Sequence, residues 1–125
     1  MSLSEKDLRI GNYVLAGKMT EPIQVHTIGF ELREGSMINT HIPIEHIHPI
    51  PLSPEILDKC GFTWYDNDWY ETKSKIHLSV ELFTGYIYFG KGEYLYKAEI
   101  KYLHQLQNLY FALTGTELTY NTNQK

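Results

Sequence analysis

The stretch Leu52 to Phe62, LSPEILDKCGF, carries the signals for both ends of one short helix, and no other part of the chain is so tightly constrained. Ser53 is a strong N-cap, and Pro54 fits the first helical position, where its missing N–H costs nothing. Leu52 before the cap and Leu57 one turn in form a candidate hydrophobic staple. Gly61 offers the left-handed exit, with Phe62 placed to fold back onto Leu57. The spacing therefore predicts a two-turn helix at Pro54 to Cys60 and divides the chain near residue 52.

Before that boundary the pattern is of short β-type segments: Tyr13 to Ala16, Ile23 to Phe30, Met37 to Ile42 and a stretch from Ile44 to Ile50. Gly17 with Lys18, and Arg33 to Ser36, supply the turns. Pro43, Pro49 and Pro51 cannot donate ladder hydrogen bonds, so the fourth segment is expected to be an edge, a 3₁₀ turn or an irregular crossing. The expectation is an SH3-like or related small β barrel over residues 1–52.

After the boundary strand character returns in Phe62 to Tyr65, Trp69 to Thr72, Ile76 to Leu82, Tyr86 to Phe89 and Tyr94 to Glu99. Asp66, Asn67 and Asp68 suit one tight turn, and Gly90 with Gly92 another. Ile76, Leu78, Val80 and Leu82 alternate with polar residues, as a strand with one wet face requires. A closing helix at Lys101 to Thr114 carries Tyr102, Leu103, Leu106, Leu109, Tyr110 and Leu113 every three or four residues, and Gly115 stops it. The predicted class is α+β, with a helix, antiparallel meander and helix over 53–120 and a flexible tail at 121–125.

The chain has 125 residues, 42% of them hydrophobic, which excludes intrinsic disorder and limits it to one domain or two small lobes. Eleven basic residues against 15 acidic give a net charge of −4, which disfavours nucleic-acid binding. No apolar run approaches the roughly 20 residues that span a bilayer. Cys60 is the single cysteine, and the polar start Met1 to Asp7 lacks a secretory signal's apolar stretch, so a reducing cytoplasm is expected.

Catalytic constellations are hard to find. His41, His46 and His48 in HIPIEHIH could supply three imidazoles, yet three isoleucines and two prolines surround them and no cysteine accompanies them, so no metal is assigned. Cys60 at a helix C-terminus meets the wrong end of the dipole for a nucleophile. The acidic residues form no readable acid/base pair, and Gly85, Gly90 and Gly92 lack the spacing of a phosphate loop. The sequence thus predicts a nonenzymatic protein without a cofactor. The compositional oddity is ten tyrosines, with Tyr86 and Tyr88, and Tyr94 and Tyr96, spaced to share a face on adjacent strands. Together with the uncharged polar set His104, Gln105, Gln107 and Asn108 on the last helix, they are the candidate ligand- or partner-binding residues.

Three blocks carry a resemblance: DLRIGNYV at Asp7 to Val14, PIPLSPEILDKCGF at Pro49 to Phe62, and YLHQLQNLYFALTGTEL at Tyr102 to Leu118. They resemble a family of small proteins encoded by phages, prophages and mobile elements of gut Bacteroidetes, in which similar blocks occur in the same order. The resemblance implies a phage-type accessory protein of the bacterial cytoplasm, with no catalytic residues to carry over. The leading expectation is a binding protein that contacts and inhibits a host factor or associates with itself. The alternative is a protein that sequesters a small nucleotide-like ligand, and a histidine-ligated metal protein or nucleic-acid-binding module is the remote one.

Overall fold

The structure, a computed structural model, describes residues 3, 5–18, 21–31, 35–39, 42–65, 68–71, 78–91 and 94–121. The chain divides into two compact units, Met1–Ile50 with Tyr102–His104, and Pro51–Lys101 with Gln105–Lys125.

The first unit opens with a 3₁₀ turn at Glu5–Asp7 and continues through β1 (Tyr13–Ala16), β2 (Ile23–Gln24), β3 (Ile28–Glu31) and β4 (Gly35–Ile38). After β5 (Ile42–Pro43), a second 3₁₀ turn at Ile44–His46 leads into β6 (Ile47–His48). This is where the prolines forbid a regular ladder. Antiparallel pairing builds two sheets, β2-β1-β6 and β3-β4-β5. Leu3, Leu8, Val14, Ala16, Val25, Ile38 and Ile47 form the unit's buried cluster.

Among the described residues neither sheet closes, so the barrel expected over residues 1–52 is replaced by two open three-stranded sheets. The physical reason is strand length. A closed barrel needs continuous staggered ladders on both sides of every strand, and β2, β5 and β6 contribute two residues each. The expected strand Ile23 to Phe30 is interrupted at 25–27, and Asn39 occupies the interruption. The backbone N–H groups of His26 and Thr27 donate to Asn39 Oδ1 at 2.6 and 3.2 Å, and Asn39 Nδ2 donates to the Gln24 carbonyl at 3.0 Å. Asn39 itself has φ +54°, a left-handed conformation that asparagine tolerates better than most residues. Asn12 acts alike: it is buried, its Oδ1 accepts from the Arg9 N–H at 2.7 Å, and its carbonyl accepts from the Val25 N–H at 2.8 Å.

The second unit begins with α1 (Pro54–Lys59). Ser53 Oγ accepts from the Ile56 N–H at 3.2 Å, Pro54 occupies the first turn, and Gly61 leaves the helix with φ +87°. Both ends obey the rules read in the sequence. Strands β7 (Phe62–Tyr65), β8 (Asp68–Glu71), β9 (Ser79–Glu81), β10 (Tyr86–Lys91) and β11 (Tyr94–Glu99) follow as an antiparallel sheet in the order β11-β10-β9-β8-β7. The proposed turn residues Asp66, Asn67 and Gly92, and the start of the alternating segment at Ile76 and His77, lie outside the described residues.

Cross-strand partners share a face, so the register sorts the sheet into two rows. Trp64, Trp69, Val80, Ile87 and Ala98 are successive partners on one face. Val80 and Ile87 at its centre are buried, together with Leu78 and Phe62. The last helix, α2 (Leu103–Thr114), has Leu103, Leu106 and Tyr110 buried, and Glu71 is close enough to Tyr110 for its carboxylate, after burial, to raise the phenol's pKa. The segment after α2 is anchored as well: Leu118 and Tyr120 are buried, and the Asn121 N–H donates to the Lys59 carbonyl at 2.9 Å. The rest of the tail expected to fray, 122–125, lies outside the described residues. Among those described, no helix is long and apolar enough to cross a membrane.

Candidate functional site

The opposite face of the five-stranded sheet is the candidate binding surface. Its central row, Thr63, Tyr70, Ser79, Tyr88 and Lys97, crosses all five strands in register. Glu81, Tyr86 and Glu99 form a parallel row beside it. None of these side chains belongs to the buried core, and Thr63, Lys97 and Glu99 are exposed.

The tyrosines of this face lie in contact pairs. The Tyr65 and Tyr70 rings meet edge-on with centroids 6.4 Å apart, and Tyr86 and Tyr88 lie 6.5 Å apart along β10. Tyr65 is 71% exposed. The Lys97 ammonium sits 4.8 Å from the Tyr86 ring centroid, a cation–π geometry. Other charges nearby are paired locally: Lys101 with Glu99 at 3.2 Å, and Glu81 accepting from the Thr84 hydroxyl at 2.6 Å. The surface is therefore an amphipathic platform, whose phenol rings give contact area at low entropic cost. At the β9–β10 turn Phe83 is 99% exposed, an apolar side chain with no internal packing role.

The predicted site residues do not all converge here. Tyr86 and Tyr88 are on the platform. On β11, Tyr94 and Tyr96 pair with Lys91 and Phe89 of β10, register positions that alternate with those of Tyr86 and Tyr88; their side chains lie outside the described part of the molecule. On α2, His104 and Gln107 are buried, so neither offers a contact to a visiting molecule. The apolar stripe is wide enough at the start of the helix to draw both inward. Gln105 and Asn108 are half-buried, and Gln105 Oε1 accepts from the Lys101 N–H at 2.9 Å, capping the helix entrance.

His104 is the electrostatic anomaly. It is 2% exposed, its ring is stacked 6.1 Å from that of Tyr102, and Nδ1 has no hydrogen-bond partner among the described residues. Burial holds its pKa below the ordinary histidine value of 6.5, against the opposing pull of Asp7. It is a neutral core histidine.

The other chemical candidates separate in the same way. Ile44–His46 is a 3₁₀ turn and His48 lies on β6, both histidines are exposed, and His41 lies outside the described residues. Among those described, no group of three or more histidine, cysteine, aspartate or glutamate side chains gathers as metal ligands do. Cys60 is buried at the end of α1, where burial pushes its pKa up to about 12.

Trp64, Tyr65, Trp69, Tyr70 and Phe83 were not singled out by sequence reasoning. A signal existed: a tight turn around Asp66 and Asn67 makes Trp64 the partner of Trp69, as observed, and the two rings lie 5.6 Å apart. Comparison of the chain with protein-family models, curated proteins and solved structures finds no match.

Proposed function

We propose that the protein is a nonenzymatic binding module that acts by protein–protein contact, and that its platform of Tyr65, Tyr70, Tyr86, Tyr88 and Lys97 engages and inhibits a host factor in the bacterial cytoplasm. One observation carries the reading: paired tyrosine rings, Tyr65 exposed and Tyr70, Tyr86 and Tyr88 half-buried, on the face of the five-stranded sheet opposite its buried row. Tyrosine-rich patches of this kind are enriched in binding hot spots. The phage-type setting rests on the three sequence blocks.

The test is capture of a host protein from a gut Bacteroidetes lysate on the immobilised chain, followed by reconstitution with the purified candidate. Tyr70→Ser and Tyr88→Ser are expected to abolish the complex while leaving the circular dichroism unchanged. A complex indifferent to both substitutions overturns the reading.

A second reading is favoured by Lys97 beside Tyr86, because a cation next to a π face suits a nucleotide-like ligand that stacks its base and needs its phosphate neutralised. A thermal-shift panel of linear and cyclic nucleotides tests it. A ligand at 100 times its dissociation constant stabilises by about 2.7 kcal/mol, and a flat response across the panel eliminates it.

A further inference from the structure

The five-stranded sheet has two outer edges, and they are built differently. On one side β11 ends the sheet with exposed Lys97 and Glu99, the charged residues that discourage another strand from adding. On the other side β7 reads Phe62-Thr63-Trp64-Tyr65, with no charge and no proline. Its ladder to β8 runs unbroken through four consecutive pairs, so no bulge twists the edge away. Thr63, Trp64 and Tyr65 are exposed in succession, Trp64 to 53%. All three are strong strand formers. Among the described residues β7 pairs with β8 alone.

We propose that this edge pairs with the β7 edge of a second copy of the chain, antiparallel about a twofold axis centred on Trp64. Three features select a copy over a foreign peptide. An antiparallel edge is self-complementary under a twofold, because each strand presents the same alternation of donors and acceptors to its mate. The chain is acidic overall, at −4, and β7 carries no charge, so a twofold contact through this strand brings none of its residues into like-charge repulsion. An edge without charge also lacks the means to choose a charged foreign partner. In this register Thr63 faces Tyr65 of the second copy on the platform side. On the core side the observed Trp64–Trp69 pair continues into the same pair of the copy, a row of four indoles. The pairing uses the edge of the sheet, meets the platform only at Tyr65 and leaves Tyr70, Tyr86, Tyr88 and Lys97 open, so it goes beyond the host-factor reading and is tested separately from it.

Trp64 and Trp69 are the only tryptophans in the chain, so both report on the seam. The experiment is sedimentation equilibrium of the full chain over a dilution series, with tryptophan emission recorded in parallel. The expected result is a dimer that dissociates on dilution while its emission moves to longer wavelength as the indoles become hydrated. Trp64→Phe is expected to remain dimeric. Trp64→Lys sets two ammonium groups opposite each other and is expected to weaken the dimer by about 100-fold or more. Circular dichroism checks that both variants are folded, and if Trp64→Lys is not, Thr63→Lys takes its place. A wild-type chain that stays monomeric throughout the series overturns the proposal, as does a folded Trp64→Lys with an unchanged dimer constant. Host-factor capture is read through Tyr70 and Tyr88, outside the seam, so loss of the dimer with retained capture refutes only the pairing.

Discussion

In the first unit, strands of two to four residues are stitched at their bends by the side chains of Asn12 and Asn39; in the second, strands of three to six residues align through ladders of up to six consecutive backbone pairs, with Thr84 bracing the β9–β10 turn. The difference lies in what fixes register. A two-residue ladder cannot hold its own alignment, so side-chain amides replace the missing backbone bonds and the polar groups turn inward. A longer ladder fixes register by itself, and its outer side chains become free for display. The aromatic platform belongs to the second unit for that reason.

Four measurements put this contrast at risk. The largest effect is expected in the second unit's core: Ile87→Ala, at a fully buried position, should cost about 2–5 kcal/mol in urea unfolding. Next is Asn39→Ala in the first unit, which removes two accepted hydrogen bonds and one donated one and strains a positive φ; about 2 kcal/mol is expected. Asn39→Gly should recover the backbone part of that loss. If Asn39→Ala is as harmless as an ordinary surface change, the stitching account fails. Ser53→Ala should cost about 1 kcal/mol, since one N-cap bond to Ile56 is lost. The smallest is pH dependence at His104, absent at neutral pH. The folded state holds this histidine below its ordinary value of 6.5, so the unfolded chain binds more protons once the pH falls below that value. Stability should decline as pH drops through and below the ordinary histidine range, and His104→Gln should flatten that part of a melting-temperature profile.

Legibility in the sequence followed the range of the interactions involved. Helix α1 was readable end to end because its cap, its proline and its exit glycine are local, and β7 and β11 begin and end where the alternation put them. The break that shortens the strands of the first unit is not legible, because Asn39 makes it by bonding residues 12 to 15 positions away, and no local pattern marks such a bond. The burial of His104 and Gln107 is hidden for a related reason: polar residues flanking an apolar stripe give no sign of how wide the buried face is. The tyrosine platform was half visible. Tyr86 and Tyr88 stood out by spacing within one strand, while Tyr65 and Tyr70 join them only through a register that crosses the sheet.

Cys60 gives the molecule a built-in clock. As the only thiol in the chain, buried and held protonated at any ordinary pH, it is closed to alkylation while α1 stays docked. The rate at which a thiol reagent consumes it therefore measures how often the second unit opens. Any cysteine introduced on the surface would be the fast-reacting one, ready to carry a single fluorophore without first deleting the native residue.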